Sequence, residues 1–175
     1  MPRRPHLTEP LSRPVRGLLA ALLLLGAATA CTPTLEVDTP EVDGADARVC
    51  DALADALPDE LANARRREVV SSGSEAVAWG DPPIVLSCGV GTPLGFSRVA
   101  SACQDVAGVD WFVPDEQMED QTAEAVATTI GFDPALELRI PADYRPPVQV
   151  LIEIAPAIKD TVPNPNPCVV ADPRD

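Results

Sequence analysis

The chain lacks most of the side chains on which common enzymes depend. His6 is its only histidine and Lys159 its only lysine, and 3% of the residues are aromatic. Because His6 precedes Cys31, where we expect the chain to be cut, the mature protein would contain no imidazole. This excludes Ser-His-Asp catalysis, Cys-His catalysis and the usual His-ligated zinc sites. Lys159 has no Ser-x-x-Lys partner, which argues against a Ser-Lys hydrolase.

A long apolar run is absent as well. The longest, Leu18 to Ala30, has 13 residues, whereas a membrane-spanning helix needs roughly 20. Several arginines precede the run, and the small residues Ala28-Thr29-Ala30 lead directly to Cys31. This layout predicts a lipoprotein signal peptide over residues 1–30, with the mature chain beginning at a lipidated Cys31. The alternative is a plain secretory signal with Cys31 as an ordinary thiol.

Basic residues are few, and the acids dominate. Removing residues 1–30 takes away four arginines and one glutamate, which leaves 9 basic and 26 acidic residues and a formal charge of −17. Such a charge repels nucleic acid phosphates and anionic lipid headgroups. We therefore expect no nucleic acid partner, and the membrane contact is expected to come through the lipid on Cys31.

Four further cysteines, Cys50, Cys88, Cys103 and Cys168, remain in the expected mature domain. An even number in an exported domain predicts two disulfides. Three pairings are possible, and we favour the local Cys88–Cys103 bridge together with Cys50–Cys168. A four-thiolate metal site would need a C-x-x-C pair, which the chain does not contain, so no metal or cofactor is predicted.

The sequence divides into a signal, a tether and one domain. Residues 31–47 are rich in acids and proline with few large apolar residues, a composition typical of a solvated spacer. Residues 48–175 are long enough for a single domain with its own core, ending in a proline-rich tail that leads to Cys168.

Apolar periodicity predicts an α+β domain, a small antiparallel sheet backed by two helices. Val49, Leu53, Ala56 and Leu57 fall at helical spacing, with Asp46 as a cap. A second helix is expected over residues 147–161, bent or shortened at its internal proline. Strands are expected at 84–88, 109–113, 123–130 and 136–140, the last alternating apolar and charged residues.

One stretch resembles a known family. The segment AWGDPPIVLSCG from Ala78 to Gly89, followed by Cys103 and by GVDWF from Gly108 to Phe112, is similar to the domain of unknown function 3515 family of bacterial lipoproteins. Val49-Cys50, Thr128 to Gly131 and Pro167-Cys168 extend the likeness over most of the mature chain. The resemblance implies an exported, often lipidated envelope protein of high-GC Gram-positive bacteria. It implies no catalytic residues.

The two tryptophans are the candidate binding residues, because the chain has only six aromatic residues. Trp79 and Trp111, with Asp81 and Asp110 beside them, would line a groove for an apolar or sugar ligand. We favour the other interpretation, in which both indoles pack in the core and each N–H donates to a local acceptor, because scarce aromatic residues are usually placed where a large area must be buried.

These observations together predict a non-catalytic accessory or binding protein at the outer face of the cell membrane. Its partner would be an envelope protein or a small envelope ligand. One alternative is a cell-wall hydrolase or transferase that uses paired carboxylates. The other is a cation-binding or spacer module.

Overall fold

The computed structural model describes residues 34–97, 101 and 103–168. The expected signal peptide at 1–30 and the expected lipidation site Cys31 lie outside these residues. Within them, no helix combines the length and the apolar character that a membrane span requires.

An eight-stranded antiparallel sheet forms the centre of the domain and confirms the α+β prediction. The expected strands at 84–88, 109–113, 123–130 and 136–140 are all present. In side-by-side order the strands are β2 (Glu60–Leu61), β3 (Ala64–Arg67), β5 (Ala76–Trp79), β6 (Ile84–Val90), β10 (Ala135–Ile140), β9 (Ala125–Thr129), β8 (Val109–Phe112) and β7 (Gln104–Val106). Two more strands, β1 (Leu35–Val37) and β4 (Val69–Ser71), pair in parallel as a separate ribbon.

Two helices back the sheet, as predicted. They are α1 (Gly44–Ala56), which contacts β6, and α3 (Val148–Thr161), which contacts β2, β7, β8 and α1. Strand β10 shows the expected alternation, because Leu136, Leu138 and Ile140 are fully buried while Arg139 is exposed and pairs with Glu124. A one-turn helix, α2 (Asp115–Glu119), and a 3-10 helix (Ala142–Tyr144) complete the described elements.

Helix α3 does not shorten at its proline, which leaves a bend as the remaining part of that expectation. Pro156 lies inside a helix that runs to Thr161. A proline there lacks the N–H that would bond to the carbonyl of Ile152. Ile152 and Pro156 both lie on the exposed side of α3, where water can solvate that carbonyl. The opposite side of the helix is buried through Leu151, Ile154 and Ile158.

The expected tether is part of the fold from residue 35 onward. Strand β1 pairs with β4, and the hydroxyl of the buried Thr39 donates to the carbonyl of Ser74 at 2.8 Å. Helix α1 begins at Gly44, two residues before the expected cap Asp46. The prediction of a solvated spacer up to residue 47 was therefore wrong for this part, because β1 finds its partner strand far along the chain.

The predicted disulfide pairing was also wrong. The bridges are Cys50–Cys88 and Cys103–Cys168. Strands β6 and β7 are four positions apart in the sheet. Since neighbouring strands lie about 4.8 Å apart, Cys88 on β6 is about 19 Å from β7, the strand that Cys103 directly precedes. That distance is far beyond the reach of one disulfide. Helix α1 instead lays Cys50 over Cys88, with 5.8 Å between their Cα atoms.

Candidate functional site

The structure buries both tryptophans, which confirms the favoured interpretation of core packing and shows that the alternative, a groove between them, was wrong. Trp79 and Trp111 are fully buried in the core cluster beneath the helices. The indole N–H of Trp79 donates to the carbonyl of Pro58 at 2.8 Å. The indole N–H of Trp111 has no acceptor among the residues that the structure describes. Both indoles act as core side chains.

The two aspartates predicted beside them are not neighbours either. Asp81 is exposed in the turn between β5 and β6, whereas Asp110 lies on β8 and its Oδ2 accepts a hydrogen bond from the backbone N–H of Cys168 at 3.0 Å. Strands β5 and β8 are four positions apart in the sheet, about 19 Å. The four residues therefore do not form one site.

A cavity of about 480 Å³ lies at a different place, between the loop after β6, the turn joining β9 to β10, and the C-terminal tail. We call it the tail cavity. None of the four predicted groove residues is among its lining residues, which are Val90, Gly91, Thr92, Pro93, Phe96, Thr129, Ile130, Gly131, Phe132, Asp133, Ala135 and Asn166.

Hydrogen bonds hold the tail against the sheet to form one wall of this cavity. The N–H of Asn166 donates to the carbonyl of Gly131 at 3.3 Å, and the N–H of Asp133 donates to the carbonyl of Pro163 at 2.9 Å. Gly131 has φ of +86°, and a Cβ there would overlap the carbonyl oxygen of Asn166. Only glycine permits this approach. The Cys103–Cys168 bridge then fixes the end of the tail.

The lining combines apolar surface with a small number of polar groups. Phe96 and Phe132 contribute aromatic rings, and Phe96 is held in an edge-to-face contact with Phe112 at 5.4 Å between ring centroids. Asp133 is the one ionisable side chain among the described lining residues, and Thr92 and Asn166 add neutral donors and acceptors. This lining suits a neutral or positively charged ligand with an apolar part.

No group of three or more acidic, cysteine or histidine side chains able to hold a metal ion occurs in the described ranges of the chain. The cysteines that might have served as ligands are consumed in the two bridges.

The sequence analysis placed Thr129 and Ile130 of the tail cavity in a strand and gave none of its lining residues a binding role. A usable signal was present in two Gly-Phe pairs, Gly95-Phe96 and Gly131-Phe132. The chain has six aromatic residues, and two of them directly follow glycines in loops. Aromatic side chains in loops, outside the regular strands, are candidates for lining a binding site. The spatial meeting of those loops depends on the sheet order, which sequence patterns did not supply.

Comparisons with known proteins give one match. No curated protein and no solved structure is detectably similar to this chain. A family model described as "Protein of unknown function (DUF3515)" matches residues 14–167, and the chain belongs to that family.

Proposed function

We propose that the protein is a lipid-anchored, non-catalytic envelope protein that binds a small neutral or positively charged ligand in the tail cavity. The observation that carries this proposal is the cavity of about 480 Å³, with aromatic rings and a single described carboxylate, Asp133. Its volume lies within the range of pockets that hold small ligands, roughly 300–1,000 Å³. The apolar run before Cys31 supports anchoring at the outer face of the cell membrane.

A carboxylate-dependent hydrolase or transferase has less support. That chemistry needs two carboxyl groups facing each other across one cleft, about 5–10 Å apart. Asp133 has no acidic partner among the described lining residues of the tail cavity. Asp115 and Glu116 line a neighbouring cavity of about 370 Å³, but they are consecutive residues of α2 and so point in different directions.

The cation-binding alternative makes its own prediction. If the acidic domain were a calcium-binding or spacer module, calcium would raise its melting temperature, because a ligand that binds only the folded state stabilises it. We expect no such rise, since the described carboxylates form no cluster suited to a metal ion. A saturable, calcium-specific rise would instead favour the cation module over the proposed function.

Native mass spectrometry tests the proposal. The protein is purified gently from cells that export the full chain, and the bound mass is recorded for the natural sequence and two variants. Ala135→Phe fills the tail cavity from its wall, and Ala52→Phe adds the same ring to the exposed face of α1 as a matched control. We expect a bound mass in the natural sequence and in Ala52→Phe, with loss in Ala135→Phe. An unchanged bound mass in Ala135→Phe, or none in any form, would contradict the proposal.

A further inference from the structure

A further, more apolar cleft lies at one edge of the sheet, beside β7. We call it the edge cleft. It has a volume of about 170 Å³, and its lining residues include Gln104, Val106, Met118, Arg145, Val148 and Leu151. Five large apolar side chains are exposed in the described residues, and three of them, Met118, Val148 and Ile152, lie in or beside this cleft. Ile152 follows Val148 by one turn of α3, so the two share one helix face. Exposed apolar surface is thus concentrated here.

The cleft adjoins an open edge of the sheet. Strand β7 pairs with β8 on one side, and no strand within the described ranges pairs with its other side. Gln104 and Val106 both line the cleft. Side chains alternate along a strand, so Asp105 between them points to the opposite face of the sheet. An extended peptide added to β7 would point every second side chain to the face of the sheet on which the cleft lies.

The opposite face at this edge carries negative charge. Asp105 lies directly across from Asp110 in the register of β7 and β8. Like charges in that position repel each other. Asp110 accepts a hydrogen bond from the N–H of Cys168, whereas Asp105 is exposed. A basic side chain on a strand added beside β7 would lie next to Asp105 and relieve the repulsion.

The wall of the cleft formed by α2 is fixed in place. The guanidinium of Arg145 donates from Nη2 to the carbonyl of Gln117 in α2 at 2.9 Å. Its Nε and Nη2 also donate to the carbonyl of Ala123, which follows α2 in the chain. Next to Met118, the hydroxyl and N–H of Thr122 donate to Asp120 and hold the pKa of its carboxyl below the usual value. Asp120 thus adds a negative charge two residues from Met118.

From these observations we propose that β7 and the edge cleft bind an extended segment of another protein in which apolar and basic residues alternate. Apolar side chains would enter the cleft beside Val106 and Met118, and basic side chains would face Asp105. A second copy of this chain fits less well, since edge-to-edge pairing would bring Asp105 towards its own copy. Residues 169–175 also fit less well, because they carry two aspartates and one arginine and contain Pro173.

Fluorescence anisotropy with a labelled synthetic peptide of alternating valine and lysine tests this proposal. The protein is the full chain as exported, and an alternating valine–glutamate peptide serves as the charge control. We expect the lysine peptide to bind and the glutamate peptide not to bind. Asp105→Lys and Met118→Glu should each weaken binding about tenfold, since they reverse a cross-strand charge pair and add a charge to the cleft. The matched controls are Glu75→Lys and Val70→Glu, at exposed positions away from the cleft.

Several outcomes would overturn the proposal. Equal binding of both peptides, or unchanged affinity in Asp105→Lys and Met118→Glu, would show that the edge is not the binding surface. Tighter peptide binding after removal of residues 169–175 would assign the edge to the chain's own C-terminal segment. Dimerisation that competes with the peptide would assign it to a second copy. The tail cavity plays no part in this test, so its result does not depend on the proposed small ligand.

Discussion

At the scale of single residues, the two tryptophans differ in hydrogen bonding although both are fully buried. Trp79 donates to the carbonyl of Pro58, and Trp111 has no acceptor among the described residues. We expect Trp79→Phe to lower the free energy of unfolding by about 1 kcal/mol more than Trp111→Phe. The first change leaves a carbonyl unpaired, and the second removes a donor that made no bond. Denaturant unfolding with the disulfides intact measures the difference.

The same pair of variants also separates a core role from a binding role. If both tryptophans only pack, Trp79→Phe and Trp111→Phe will change stability and leave the bound mass seen by native mass spectrometry unchanged. Loss of the bound mass at unaltered stability would show that the tryptophans contribute to ligand binding. Equal destabilisation by the two changes would show that the hydrogen bond to Pro58 contributes nothing measurable.

The scarcity of aromatic residues favoured core packing of the two tryptophans but did not exclude the groove. Scarcity marks an aromatic residue as important without saying which face of its strand is covered. The covered face follows from α1 and α3, which pack on the side of the sheet to which Trp79 and Trp111 point. That arrangement depends on packing between elements far apart in the chain, which the sequence around each tryptophan does not reveal.

At the scale of elements, local periodicity was informative where one face of an element is buried. Strand β10 and helix α3 were predicted from their own residues because their repeats of 2 and 3.6 residues match the burial. Strands β1 and β4 were missed, since they are short and their pairing joins residues about 34 positions apart. The cysteine pairing failed for the same reason, because β6 and β7 are consecutive along the chain but distant in the sheet.

The two disulfides should have separable roles. By loop entropy each contributes about 4 kcal/mol to stability, so the double variants Cys50→Ala/Cys88→Ala and Cys103→Ala/Cys168→Ala should be destabilised similarly. Only the second pair holds the tail that presents Asn166 to the tail cavity. We therefore expect the second double variant to lose the bound ligand at temperatures where both variants remain folded. Native mass spectrometry and thermal unfolding, run side by side, check this. Ligand loss in the first double variant alone would contradict it.

At the scale of the whole molecule, the net charge bears on the proposed anchoring. The mature chain would carry a formal charge of −17, which disfavours contact with an anionic lipid surface. A protein with this charge needs a hydrophobic attachment to stay at a membrane. A diacyl lipid with two chains supplies one, because two acyl chains hold far more firmly than the marginal binding of a single chain. The same charge favours basic partners, in agreement with the segment proposed for β7.

The proposed anchoring through Cys31 is therefore the feature whose removal should change the whole protein's behaviour. We expect the natural sequence in the membrane fraction, with an intact mass that includes a diacylglyceryl group on Cys31. The Cys31→Ala variant should lack this mass and lose the partner that crosslinking in intact cells recovers with the natural sequence. Cys50→Ala/Cys88→Ala is the control, since it removes cysteines without touching the expected attachment point. An unmodified Cys31 at the mature N-terminus, or an unchanged fraction for Cys31→Ala, would instead support a plain secretory signal. Both proposed binding sites would then operate on a protein released from the membrane.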